Sequence, residues 1–143
     1  MAESACAEVR AIYEELARRP VDRNCVRLKE CCHFKLTGRT PFLTKGEAMV
    51  AARALRQTGR TKLPVPAVSG ACPMLQLSTG NCLIYENRPF GCRTHFCAAA
   101  GGPYERSEVI DLIRRLEMID ARAGGDGAHK IEDAVSIALE DLA

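Results

Sequence analysis

The sequence predicts a mostly α fold, a small single-domain helical protein with two irregular cysteine-rich loops and room for one short β-hairpin. Three observations lead there. Apolar residues recur at helical spacing in four separate stretches. The segments between them carry Pro, Gly and seven of the eight cysteines. The composition, 47% hydrophobic with 5% aromatic residues and no Trp, describes a core of aliphatic side chains and alanine. At 143 residues the chain is long enough to bury such a core without crosslinks.

The first helix is expected over residues 4–19, where Ala5, Val9, Ile12, Tyr13 and Leu16 share a face, Ser4 is placed to cap the start and Pro20 ends the run. Cys6, alone on or beside that face, reads as a buried small hydrophobe. From Pro20 to Phe42 there is no helical period, and Gly38 and Pro41 mark turns; this is the first cysteine-bearing loop. Thr44 and Glu47 have capping-box spacing at the head of an alanine-rich helix that Gly59 closes. Residues 60–71, with Pro64, Pro66 and Gly70, read as an extended connection.

The stretches CPMLQL and CLIY, separated by STGN, have the pattern of a small hairpin. Pro89 forces Arg88 extended, which predicts a second reversal before Cys92. After the break at residues 98–103, Val109, Leu112, Ile113, Leu116 and Ile119 define a strong helix with Gly124 and Gly125 past its end. A last helix from about Ala128 to Leu142 carries Ile131, Val135, Leu139 and Leu142 on its apolar side, with the solvated His129 near its start. The GGDG segment between these two favours a helical hairpin. The organisation expected is therefore one domain over residues 1–143, with a cysteine core at 25–97 and a C-terminal helical hairpin at 104–142.

Acidic residues at Glu3 and Glu8 leave no apolar signal region near the N-terminus, and no segment reaches the length of a membrane span. A cytoplasmic protein with no membrane partner is expected. There cysteines serve as metal ligands, redox groups or buried hydrophobes rather than structural disulfides. The net charge of +2 is unevenly spread: residues 18–62 carry twelve Lys or Arg against three acids. That excess permits an anionic partner such as nucleic acid, but arginines spread over loops and a helix read first as a solvated face.

The sulfurs fall in two groups, Cys25, Cys31 and Cys32 before the second helix and Cys72, Cys82, Cys92 and Cys97 after it. Thiolates are soft ligands that suit zinc or iron–sulfur clusters, and the Pro, Gly and Asn beside most of them supply non-helical backbone. Adjacent Cys31 and Cys32 reach one ion only from a bent loop, because side chains alternate on an extended strand. Seven sulfurs exceed a tetrahedral zinc site. The count permits one four-thiolate site with a remainder, two sites sharing a sulfur, or a [4Fe–4S] cubane with spare thiols. Four thiolates around Zn²⁺ carry net negative charge, so Arg88 and Arg93, which flank Cys92, are candidates to neutralise it. His33 and His95 are candidates to bind metal or steer a ligand. Tyr85 reads as a packed aromatic.

At these residues the chain resembles a known family. CCHFKLT, CPML, NCLIYENRP and CRTHFC together look like the YkgJ-type cysteine cluster family, a zinc- or iron-chelating domain of CxxCxxCC type. The resemblance covers about residues 25–97, with Cys72-Pro73-Met74-Leu75, Cys82-Leu83-Ile84-Tyr85, Arg88-Pro89 and Cys92-Arg93 matching in order and approximate spacing. Two positions depart from it. Leu28 stands where the family has its second cysteine, which favours a centre assembled from both groups, and Phe96 falls one place late. The resemblance implies metal binding by zinc or an iron–sulfur cluster. A flagellin lysine methylase resembles the family in the same motif, which leaves enzymatic roles open for larger relatives.

The function expected is thus a metal-binding protein whose two loops hold zinc or an iron–sulfur cluster in a structural or regulatory role, with no protein partner identifiable. Its rival is an iron–sulfur or thiol-dependent enzyme of electron or group transfer. Against an enzyme stands the lack of G-x-G-x-x-G, Walker, H-E-x-x-H, C-x3-C-x2-C and C-x-x-C motifs, and no catalytic residue is identifiable.

Overall fold

The structure, a computed structural model, describes residues 2–19, 41–63, 72–76, 79, 81–94 and 106–142. Within them are five α-helices and two small antiparallel strand pairs, the mostly α fold expected from periodicity. Helix α1 spans Ala2–Arg18, so Ser4 lies inside its first turns rather than capping it. Its apolar stripe of Ala5, Cys6, Val9, Ile12, Tyr13 and Leu16 is buried. Cys6 is fully covered, as the sequence implied, and burial pushes its thiol above the ordinary cysteine range.

Strand β1, Phe42–Leu43, leads into helix α2, Lys45–Gln57, which opens on the predicted capping box of Thr44 and Glu47. The helix closes as Gly59, at φ 90°, turns its N–H back to the Arg56 carbonyl at 2.9 Å. Helix α4, Arg106–Arg122, and helix α5, Ile131–Leu142, follow in the C-terminal part. Helix α5 starts three residues later than its periodicity suggests. His129 and Lys130 instead form a strand, β4, that pairs antiparallel with Leu43 and Phe42, and Ile131 donates its N–H to the Pro41 carbonyl at 3.0 Å.

Helix α2 lies between two apolar clusters. One gathers Leu43, the α2 residues Ala48, Ala51, Ala52, Ala54 and Leu55, the segment around Cys72–Leu75, and the α5 residues Ile131, Val135 and Leu139. The other joins α1 and α4 to Val50 of α2 and to Phe90. Small residues let the helices approach: a Cβ added at Gly46 would stand 2.9 Å from Val9 Cγ2 and 3.0 Å from Ile119 Cγ2. Ion pairs Glu8–Arg122, Glu15–Arg115 and Arg19–Asp111 run in opposite chain order along α1 and α4, fixing these helices as antiparallel. Lying at the surface, they add little to stability and serve mainly to show the helices' relative direction.

Asp120, in the last turn of α4, is buried and ties the fold together. Its carboxylate accepts the Lys45 N–H at 2.7 Å, at the first residue of α2, and the Gly127 N–H at 3.0 Å. An acid at a helix N-terminus satisfies an orphan donor and complements the helix dipole. Among the described residues no helix is long and apolar enough to cross a membrane.

Candidate metal centre

The second cysteine group begins in a β-turn. Pro73 presets the second position of Cys72-Pro73-Met74-Leu75, and the Leu75 N–H closes on the Cys72 carbonyl at 2.9 Å. Strand β2, Leu75–Gln76, then pairs antiparallel with β3, Asn81–Cys82, with Leu75 opposite Cys82. This is the expected hairpin. The Leu83 N–H extends it by bonding to the Met74 carbonyl at 2.8 Å, and Thr79 braces the turn through Gln76 and the Asn81 N–H. Cys72, only 5% exposed, sits in the α2–α5 cluster, and the half-buried Cys82 packs against that cluster.

A 3₁₀ turn at Tyr85–Asn87 follows, and Arg88 takes φ −57° and ψ 141°, the extended conformation that a following proline imposes. The chain then reverses into a one-turn helix, α3, Phe90–Thr94, which carries Cys92. The Cys92 N–H is bonded to the Pro89 carbonyl at 3.0 Å. Phe90 anchors α3 in the α1–α4 cluster, so the segment from Cys72 to Cys92 passes from one core to the other.

Both arginines flanking Cys92 are held by carbonyls and rings. Arg93 donates from Nε to the Arg88 carbonyl at 2.6 Å and from Nη2 to the Glu86 carbonyl at 2.8 Å, and its guanidinium lies 4.2 Å from the centre of the Tyr13 ring. Arg88 donates to the Tyr85 carbonyl at 3.0 Å and stacks at 4.1 Å on the Tyr85 ring, which gives the packed aromatic read from the sequence a definite partner. Burial pulls the Arg93 pKa below the ordinary arginine value, while Tyr13 and Cys92 are among the groups acting in the opposite direction. Cys92 and this guanidinium are thus electrostatic neighbours.

Glu47 is the group whose role the sequence underreported. It is 3% exposed, and its carboxylate faces donors from three elements. Oε1 accepts from the Thr44 hydroxyl at 3.1 Å and the Thr44 N–H at 3.5 Å, and Oε2 from the Phe90 N–H at 2.8 Å and the Tyr13 hydroxyl at 3.3 Å. Burial raises its pKa against the opposing pull of these hydrogen bonds. Burial and then the Glu47 charge hold the Tyr13 phenol well above its ordinary value. Capping-box spacing signalled Glu47, but nothing local signals partners 34 and 43 residues away.

The candidates Cys25, Cys31, Cys32, Cys97, His33 and His95 lie outside the described residues. His129 is exposed and bonded at 2.6 Å to Asp126. Thiols at Cys72, Cys82 and Cys92 are the donor chemistry that zinc or iron takes. Among the described residues, however, no three Cys, His, Asp or Glu side chains gather so as to hold an ion.

Fold and site define a small helical protein built around a cysteine-rich segment. Residues 23–109, more than half of the chain, match the model of the CxxCxxCC family, described as "Putative zinc- or iron-chelating domain", and the protein belongs to that family. No curated protein and no solved structure gives a significant match.

Proposed function

We propose that the chain binds zinc or an iron–sulfur cluster of [4Fe–4S] type through a thiolate centre assembled from both cysteine groups, in a structural or regulatory role. One observation carries this reading. Cys25, Cys31, Cys32, Cys72, Cys82, Cys92 and Cys97 all fall within the residues matched by a zinc- or iron-chelating family, and Cys6, buried in the α1 core, falls outside them. The chemistry agrees, because a buried thiolate is costly unless a cation compensates it. Arg93, next to Cys92 in α3, supplies positive charge beside it. When bound, the metal crosslinks segments distant in sequence, so part of its binding free energy becomes folding free energy.

Elemental analysis and a visible spectrum of protein purified without oxygen test the proposal. Zinc or iron at a fixed stoichiometry is expected, colourless for zinc thiolate and brown for iron–sulfur. Cys92→Ser should lower the content and Cys6→Ser should leave it unchanged. Wild-type protein free of both metals would refute the reading.

A further inference from the structure

We propose that Glu47 and Tyr13 are positioning residues for the metal centre: with Arg93 they clamp the one-turn helix bearing Cys92 onto helices α1 and α2, so that the helical core sets the placement of this thiolate. The inference rests on the metal-binding reading above and adds to it a control point outside the cysteine segment.

A capping-box glutamate needs only the N–H of its own N-cap residue. Glu47 has that contact through Oε1, and its other oxygen is directed elsewhere, to the Phe90 N–H and the Tyr13 hydroxyl. Phe90 opens α3 and Cys92 is two residues further in the same turn, so fixing the Phe90 amide fixes the backbone from which the Cys92 side chain departs. The second attachment lies on the other side of Cys92. Arg93 packs its guanidinium on the Tyr13 ring, the same ring whose hydroxyl bonds Glu47. Cys92 is therefore bracketed by residues 90 and 93, each held by a group that the helical core presents.

Four donors converge on this carboxylate, and an amide cannot replace it. Gln would offer one acceptor and one N–H₂ group, and the latter would oppose either the Phe90 or the Thr44 N–H. Tyr13 lies outside residues 23–109, so the matched segment takes part of its support from the preceding helix. Groups that orient metal ligands typically alter affinity by about 10- to 100-fold when removed.

The test uses the full chain loaded with cobalt(II), whose absorption bands report ligand geometry, and follows transfer of the ion to a competing chelator. Glu47→Gln should release cobalt at least about tenfold faster than wild type with displaced bands. Tyr13→Phe, which keeps the ring under Arg93, should give a smaller change in the same direction and serves if Glu47→Gln does not fold. Glu117→Gly, a helix-weakening change on the exposed face of α4, controls for global stability and should lower the melting temperature with wild-type release and bands. Folded Glu47→Gln or Tyr13→Phe protein with unaltered bands and release would overturn the clamp, as would equal acceleration by Glu117→Gly. Wild-type protein that takes up no metal would instead refute the underlying reading. Amide exchange at Phe90 and Cys92 separates the two failures, because the clamp predicts faster exchange in Glu47→Gln without any metal.

Discussion

Truncating Asp120 should loosen the start of α2, and the structure allows the effect to be sized. Asp120→Ala removes the acceptor of the Lys45 N–H at 2.7 Å and of the Gly127 N–H at 3.0 Å. Both bonds are partly buried, so water compensates in part, and each loss costs about 1 kcal/mol, the lower end for an unsatisfied group. Removing an acid from a helix N-terminus adds about 0.3–1 kcal/mol. Together the loss is about 2–3 kcal/mol, which for a chain of this size lowers the melting temperature by roughly 6–12 °C. Urea titration followed by circular dichroism measures it, with the denaturant slope unchanged. The neighbouring glycine supplies a cross-check. A Cβ at Gly125 would come within 2.3 Å of Asp120 Oδ1, so Gly125→Ala should destabilise the wild type yet add less in the Asp120→Ala background, where the carboxylate it would strike first is gone. A change within about 0.5 kcal/mol for Asp120→Ala, the range of neutral surface substitutions, or full additivity in the double mutant, would refute the reasoning.

Two further outcomes follow from the packing and the charges. Gly46→Ala drives a methyl group against Val9 and Ile119 and should cost about 1–3 kcal/mol in the same titration. The Asp126 carboxylate raises the His129 pKa above 6.5, so NMR titration should show this ring holding its proton to higher pH than a solvated histidine and losing that excess in Asp126→Asn. The sign follows from linkage: while Asp126 is ionised, the histidine's contribution is complete below its unfolded value and disappears as pH rises through the folded one.

The four long helices were legible because their burial repeats at the helical period, as Val109, Leu112, Leu116 and Ile119 show along α4. The hairpin was legible because Leu75 and Cys82 flank turn residues. The strand pair β1–β4 was not. Two residues per strand have no alternation to read, and the partners lie far apart in the chain, which is also why the α5 start was misplaced by three residues. Helix α3 is a single turn and too short for a periodic signal. In the candidate centre, cysteine spacing and the Arg88-Pro89 reversal were readable from local chemistry. The carboxylate of Glu47, the Tyr13–Arg93 stack and the Asp120 tie were not, because each joins elements that only the tertiary fold brings together.

The most direct test of the central proposal is X-ray absorption at the zinc and iron edges on protein purified without oxygen. A thiolate centre predicts a first coordination shell dominated by sulfur, at about 2.3 Å for zinc. For iron it predicts a further iron–iron scattering shell. A shell composed only of nitrogen and oxygen, or no bound zinc or iron, would contradict it.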